Sequence, residues 1–278
     1  MNAIEIKDLT KEYKDFKLDK LTLSLPAGCI MGLIGENGAG KSTTIKLILG
    51  MIKKNEGTIT VLGNDHSVMD KEDIGIVLDE VGIPDCLNPL QVGKIMKHIY
   101  KNWNMQVYNN YIERLNLPPK KKFKEFSKGM KMKLGIAVAL SHEPKLLILD
   151  EATAGLDPVV RDDLLDIFAE FTRNDNHSIL ISSHIVSDLE KICDYIAFIN
   201  KGKLMLCEDK DALYEQYGVV HLSHEDFEAI DKSAVKGKKT TPYGIQAIVH
   251  RDAVPSGMKI SPVSIEELFI FMVKEARV

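Results

Sequence analysis

At 278 residues, with 45% apolar and 27% charged positions, the chain has the makeup of a folded protein with room for a large core. Its formal net charge of −4 offers no overall basic field for nucleic acid, so no nucleic-acid partner is expected, and four scattered cysteines without a CxxC pair exclude a metal or disulfide framework in favour of reduced thiols. The polar N-terminus is not a secretory signal, and no apolar run approaches the roughly 18 residues of a membrane span, so any span has to come from a partner.

In chain order, AIEIKDL and KLTLSL alternate in polarity and predict strands of an antiparallel sheet with one wet face. CIMGLI is a continuous apolar run, expected as a strand buried on both faces. TTIKLILGMI has helical spacing and reaches Gly50 near its end. GTITVLG and EDIGIVLDE read as further strands. From Pro89 to about Glu143 the pattern is helical, interrupted at Pro118-Pro119. KLLILD is a second buried strand, and DPVVRDDLLDIFAEF a helix with Pro158 suited to its first turn. HSILISS predicts a strand, HIVSDLEKIC a helix, and DYIAFINKGKLML a hairpin turning at Asn200-Lys201-Gly202. Alternating strands and helices imply an α/β fold with a mostly parallel sheet. From about Gly218 the chain turns short, polar and turn-rich. VKGKK (235–239) reads as a solvated loop and VSIEELFIFMVKEA as a closing amphipathic helix.

The stretch GENGAGKSTT, residues 35–44, lies between the first buried strand and a helix. Gly35, Gly40, Lys41 and Ser42 satisfy G-x-x-x-x-G-K-[ST], a loop whose glycines let backbone N–H groups converge on phosphate oxygens. The N-terminus of the following helix adds its positive dipole end. Lys41 is expected at the β- and γ-phosphates, the Ser42 hydroxyl on Mg²⁺, and Thr43, with Asn37 and Gly38 of the same loop, in further phosphate contacts. KLLILDEATAGLDP then supplies two carboxylates: Asp150, at the end of a buried strand, for the metal, and Glu151 for the attacking water.

With these motifs in this order, the chain resembles the ATP-binding cassette (ABC) ATPases over about Ile4 to Asp211. FSKGM (126–130) looks like that family's signature motif, AGLD (154–157) like its D-loop, and His184 like its switch histidine. Tyr13 matches the aromatic that stacks on adenine, with Phe16 as a substitute. The resemblance implies a P-loop NTPase core with a mixed sheet, parallel in its core with antiparallel N-terminal strands, over residues 1–215. It further implies a helical subdomain at about 85–140 and leaves 216–278 as a small C-terminal extension. It implies ATP and Mg²⁺ as cofactors, with Lys41, Glu151 and His184 catalytic and Ser42, Asp150 and Asp79 at the metal.

The resemblance also implies a head-to-tail dimer. Each ATP then lies between one phosphate loop and the opposite subunit's Ser127 and Gly129, with Asp157 along the interface. One chain carries one copy of each motif, so a second cassette, identical or similar, is expected. Two motifs depart from the family's pattern. Asp79 stands where a glutamine is usual; it keeps an oxygen acceptor, loses an amide donor and adds charge. In the signature, usually LSGGQ, Lys128 and Met130 replace a glycine and the glutamine; Lys128 either adds charge near the phosphates or points into solvent.

The function implied is the ATPase subunit of a transporter, most like those of small exporters, working on a separate transmembrane permease. Such a subunit sits in the cytoplasm on the inner face of the cell membrane. Alternatives are a soluble ABC ATPase acting on ribosomes or nucleic acid, whose usual tandem cassettes and basic linker are not seen here, and an ATP-binding scaffold without turnover, against which Glu151 and His184 argue.

Overall fold

A computed structural model describes residues 1–242, 244–255 and 258–275. The first half runs β1 (Asn2–Glu12), β2 (Lys17–Pro26), β3 (Ile30–Ile34), α1 (Lys41–Ile48), β4 (Glu56–Val61), β5 (Asn64–Asp65), β6 (Ile74–Val77), α2 (Pro89–Ile99), α3 (Met105–Arg114) and α4 (Lys128–Leu140). It continues with β7 (Leu146–Asp150), α5 (Pro158–Phe171), β8 (Ser178–Ser183), α6 (Val186–Ile192), β9 (Tyr195–Asn200), β10 (Lys203–Asp209) and α7 (Lys210–Gln216). The C-terminal part holds β11 (Tyr217–Leu222), α8 (His224–Ala229), β12 (Val235–Thr241), β13 (Gly244–His250) and α9 (Ile265–Glu275).

The main sheet has the order β10-β9-β3-β8-β7-β6, with only β10 antiparallel to its neighbour. Every residue of β3, β7 and β8 is buried, which is why those runs lack polar alternation. Successive side chains go to opposite faces. Leu146 and Ile148 pack with Met31, Leu33 and Ile45 under the four-stranded antiparallel sheet β2-β1-β4-β5. Leu147 and Leu149 pack with Leu134, Leu164 and Leu189 of the helices on the other side. The mixed sheet with antiparallel N-terminal strands is thus the expected α/β architecture.

Local signals fix the element ends. Gly50 (φ 66°) stops α1 in the left-handed region. Asn88 and Gln91 form a reciprocal capping box that starts α2, with Pro89 at its first position. Asp157 caps α5, again followed by proline. Lys201 and Gly202 both have positive φ, the twist that lets β9 and β10 close a tight hairpin. The strand expected over EDIGIVLDE is shorter than its sequence: only Ile74–Val77 pair, so Asp79 sits beyond the strand in an exposed loop.

The tail corrects one expectation. Residues 235–239 are not a solvated loop but most of β12, paired antiparallel with β13 in a sheet of order β11-β13-β12. Lys236, Lys238 and Lys239 are exposed as anticipated, yet Gly237 is buried, and a Cβ there would come within 3.0 Å of the Phe271 backbone on α9. Lysines on an edge strand block further pairing while leaving the backbone free to join the sheet, so composition alone mimics a loop.

The C-terminal sheet is fastened to the cassette by the segment after His184. Glu190 of α6 accepts hydrogen bonds from the Tyr214 hydroxyl (2.8 Å) and from the backbone N–H of Ile265 at the start of α9 (3.0 Å). Tyr217, Val219, Ile248, Val263 and Leu268 share one apolar cluster with the helices of the cassette.

Candidate nucleotide site

The C-terminal ends of β3, β7 and β8 lie side by side, Ile34 beside Ser183 and Asp150 beside Ser182. This is the edge of a parallel sheet where ligands bind in open α/β folds. A cavity of ≈ 1060 Å³ lies at the opposite edge, near Ala27, Asp73, Lys145 and Ser178, and converges none of the motif residues.

The loop leaving β3 is shaped by its glycines. A Cβ on Gly35 would lie 2.6 Å from the Ile199 carbonyl oxygen. Gly40 has φ 117° and Gly38 φ 80°, and no atom stands within 4 Å of where a Gly38 Cβ would be. The loop runs into the N-terminus of α1, where Ser42 and Thr43 are half-buried. Lys41, only 5% exposed, folds back over the loop: its Nζ donates to the carbonyls of Gly35 (2.7 Å) and Glu36 (3.3 Å) and pairs with Glu151 Oε1 at 3.1 Å.

Glu151 is held from several sides. Its backbone N–H donates to Ser182 Oγ (3.1 Å), Oε1 pairs with Lys41, and Oε2 meets His184 Nδ1 at 2.7 Å. Ser182 Oγ donates in turn to Asp150 Oδ1 at 2.6 Å, which orients that buried carboxylate. Lys41, Asp150, Glu151 and His184, drawn from positions up to 143 apart in the chain, therefore form one connected cluster.

Ser127, Gly129, Asp79 and Asp157 form a second, outward-facing group. Ser127 caps α4, and a Cβ on Gly129 would stand 3.7 Å from Leu156 and Val160, beside the Asp157 turn. Asp79 pairs with Lys128 at 3.2 Å. Among the described residues no hydrogen bond or ion pair links this group to the Lys41 cluster. Tyr13 is half-exposed with its ring centroid 6.4 Å from that of Phe16, and Phe16 is the ring nearer the loop, 3.0 Å from a Cβ built on Gly40.

Residues 18–154 match the family profile described as ABC transporter. The lantibiotic transport ATP-binding protein SrtF of Streptococcus pyogenes is 37% identical over 212 residues, covering 75% of this chain and 91% of that protein. The chain belongs to the ABC transporter family. The bacitracin transport ATP-binding protein BcrA of Bacillus licheniformis is 40% identical over 210 residues, 73% of this chain and 68% of its own. Among solved structures, an ATP-binding subunit of an ABC transporter superposes with a TM-score of 0.69 at 28% identity, covering 76% of this chain and 91% of that one. A dimeric ATP-binding cassette bound to ADP and Pi superposes at 0.67 with 20% identity, over 74% and 98% of the two chains, a likeness of fold.

The protein is thus an ATP-binding, ATP-hydrolysing subunit of an ABC transporter with the P-loop α/β fold. Among its described residues no helix is long and apolar enough to cross a membrane. Two contributors escaped sequence reading. Ser182, which joins Asp150 to Glu151, is signalled only by a hydroxyl pair ending the buried run SILISS. The partner of Lys128 is invisible without the fold, because Asp79 lies 49 residues away.

The backbone of Glu151 is left-handed, with φ 53°. A residue with a Cβ loses roughly 1–2 kcal/mol in that region, whereas glycine does not. Glu151→Gly and Glu151→Ala remove the same side-chain bonds and differ only in this preference. The glycine variant is expected to be more stable by about 1 kcal/mol, a melting midpoint higher by about 2–4 °C for a chain of this size. Thermal melts of both variants without nucleotide check this; an equal or lower midpoint for glycine would show that the conformation carries no strain.

Proposed function

We propose that this subunit drives export through a separate transmembrane permease, working as one half of a two-cassette dimer on the inner face of the cell membrane. Similarity to the lantibiotic and bacitracin transport ATP-binding proteins supports a transport role. The observation that carries the site assignment is the Lys41–Glu151–His184 contact at the ends of β3, β7 and β8.

In this reading the phosphate loop, from Gly35 through Asn37, Gly38 and Gly40 to Ser42 and Thr43, holds the phosphates with its N–H groups and hydroxyls. Tyr13, with Phe16, packs on the adenine. Mg²⁺ fits the donor set: no three carboxylate, histidine or cysteine side chains of the described residues gather into a cage, and magnesium characteristically takes one or two protein oxygens plus substrate phosphates. Ser42 and Asp150 are those oxygens, with Asp79 a peripheral acceptor. Bound magnesium neutralises charge building on the phosphates.

The protein's own contribution follows from its resting contacts. When phosphate oxygens take Lys41 Nζ, Glu151 Oε1 is released and accepts a proton from the attacking water, while His184 keeps Oε2 in place. The water oxygen bonds to the γ-phosphorus as the bond to ADP breaks, and the proton remains on Glu151 until product leaves. Ser127, Gly129 and Asp157 face outward because they serve the ATP of the other cassette. The division into a cassette at 1–215, with a helical subdomain at about 85–140, and an extension at 216–278 belongs to the same proposal.

Affinity-tagged chain recovered from detergent-solubilised membranes of its own cells tests the partnership. A multi-span membrane protein in roughly equal amount is expected by mass spectrometry; recovery with ribosomes and no multi-span protein would overturn it.

A further inference from the structure

Two of the three positions that depart from the family's pattern meet each other in space. Asp79, past the end of β6, and Lys128, at the first position of α4, pair at 3.2 Å with side chains 55% and 51% exposed. The pair stands over a cleft of ≈ 720 Å³ lined by Asp79, Val81, Phe126, Lys128, Lys131 and Met132, between the loop after β6 and α4. Lys128 also rests against a third segment: its Nζ is 3.7 Å from a Cβ built on Gly155, in the turn that follows Glu151.

The pairing has an electrostatic reason. α4 has no acidic residue in its first turn, and it carries Lys128 there, with Lys131 just beyond. A cation at a helix N-terminus opposes the macrodipole. Asp79 brings from outside the helix the negative charge that this terminus lacks. A glutamine at 79 would bring none, and a glycine at 128 would need none. The substitutions therefore make sense together and not singly.

We propose that Asp79 and Lys128 form a positioning pair that fixes the first turn of α4, and with it Ser127 and Gly129, relative to the sheet. Lys128 is then turned neither to the phosphates nor to free solvent; it braces the outward-facing half of the site against the loop that follows β6. The kinetic part of this inference rests on the function proposed above.

The test is a double-mutant cycle with Asp79→Gln, Lys128→Ala and the pair combined, read in two ways. Both positions are exposed, so all three variants are expected to fold. Without nucleotide, deuterium uptake of backbone amides in residues 79–87 is expected to rise in each single variant and no further in the double. In ATP turnover each single variant is expected to lower kcat about three- to fivefold with the affinity for a fluorescent ATP analogue, measured without Mg²⁺, unchanged, because the phosphate loop is untouched. The double variant is expected to match the weaker single rather than the product of the two. About 1 M salt, which screens exposed charges beyond about 3 Å, is expected to lower the parent to the level of the variants. Multiplying kinetic losses, or uptake unchanged in the single variants, would overturn the pair. If the parent chain itself hydrolyses no ATP, the proposed function falls while the exchange data still judge the pair.

Discussion

Lys41→Ala is expected to abolish ATP hydrolysis, lowering turnover at least 10²-fold, and to weaken ATP binding more than tenfold, each tenfold being about 1.4 kcal/mol. The ammonium is the buried cation of the phosphate loop, and charge-assisted bonds to phosphate are the strongest the loop can offer. The structure adds a cost that the motif does not reveal. Removing Nζ strips a donor from the Gly35 and Glu36 carbonyls and the counter-charge from Glu151. Groups left unpaired cost about 1–3 kcal/mol, so the variant should stay folded at 25 °C but melt several degrees lower. Phosphate release, nucleotide titration and a thermal melt measure the three effects. Near-normal turnover would remove Lys41 from the site.

Glu151→Gln is expected to trap the dimer. The amide keeps the shape and one acceptor oxygen but cannot take a proton, and loss of a general base costs about 10² to 10⁴ in rate. Lys41 keeps its two carbonyl partners, and the loop is intact, so ATP still binds. Two cassettes closed on two unhydrolysed ATP molecules should then accumulate. Size-exclusion chromatography with ATP and Mg²⁺ should show a dimer for Glu151→Gln and mostly monomer for the parent. Adding Ser127→Arg should abolish that dimer, because Ser127 is exposed at the tip of α4 and a bulky cation there blocks approach. A monomer in both proteins with turnover intact would refute base and sandwich together. A monomer with turnover lost would instead require a different cassette or the permease for closure.

The legibility of this chain was uneven for physical reasons. Motifs built from chain neighbours read directly: the glycine loop GENGAGKSTT lies between a buried strand and a helix, and Pro158 marks the first turn of α5. Contacts between distant segments did not read. Family likeness marked His184 as a switch histidine but not its contact with Glu151, and that Asp79 meets Lys128 was not implied at all, since charge pairs across 49 residues leave no periodic trace. The tail was misread at 235–239 because an edge strand studded with lysine has the composition of a loop. Its apolar counterpart β13, buried at Ile245, Ala247, Ile248 and Val249, carried the strand signal that the polar flanks obscured.

The resting posture of Lys41 makes nucleotide entry an exchange reaction. Its ammonium already has three oxygen acceptors, so an anion gains only what it offers beyond those. Inorganic phosphate or sulfate fills one phosphate position only, so it sets the lysine and a few loop N–H groups against the loss of Glu151. In the proposed site a triphosphate would span more of the loop N–H groups, the Ser42 and Thr43 hydroxyls and the lysine at once, and so gain more from displacing Glu151. The loop is in this way a filter against the small anions that surround it, and the carboxylate freed by displacement is the one the reaction next uses.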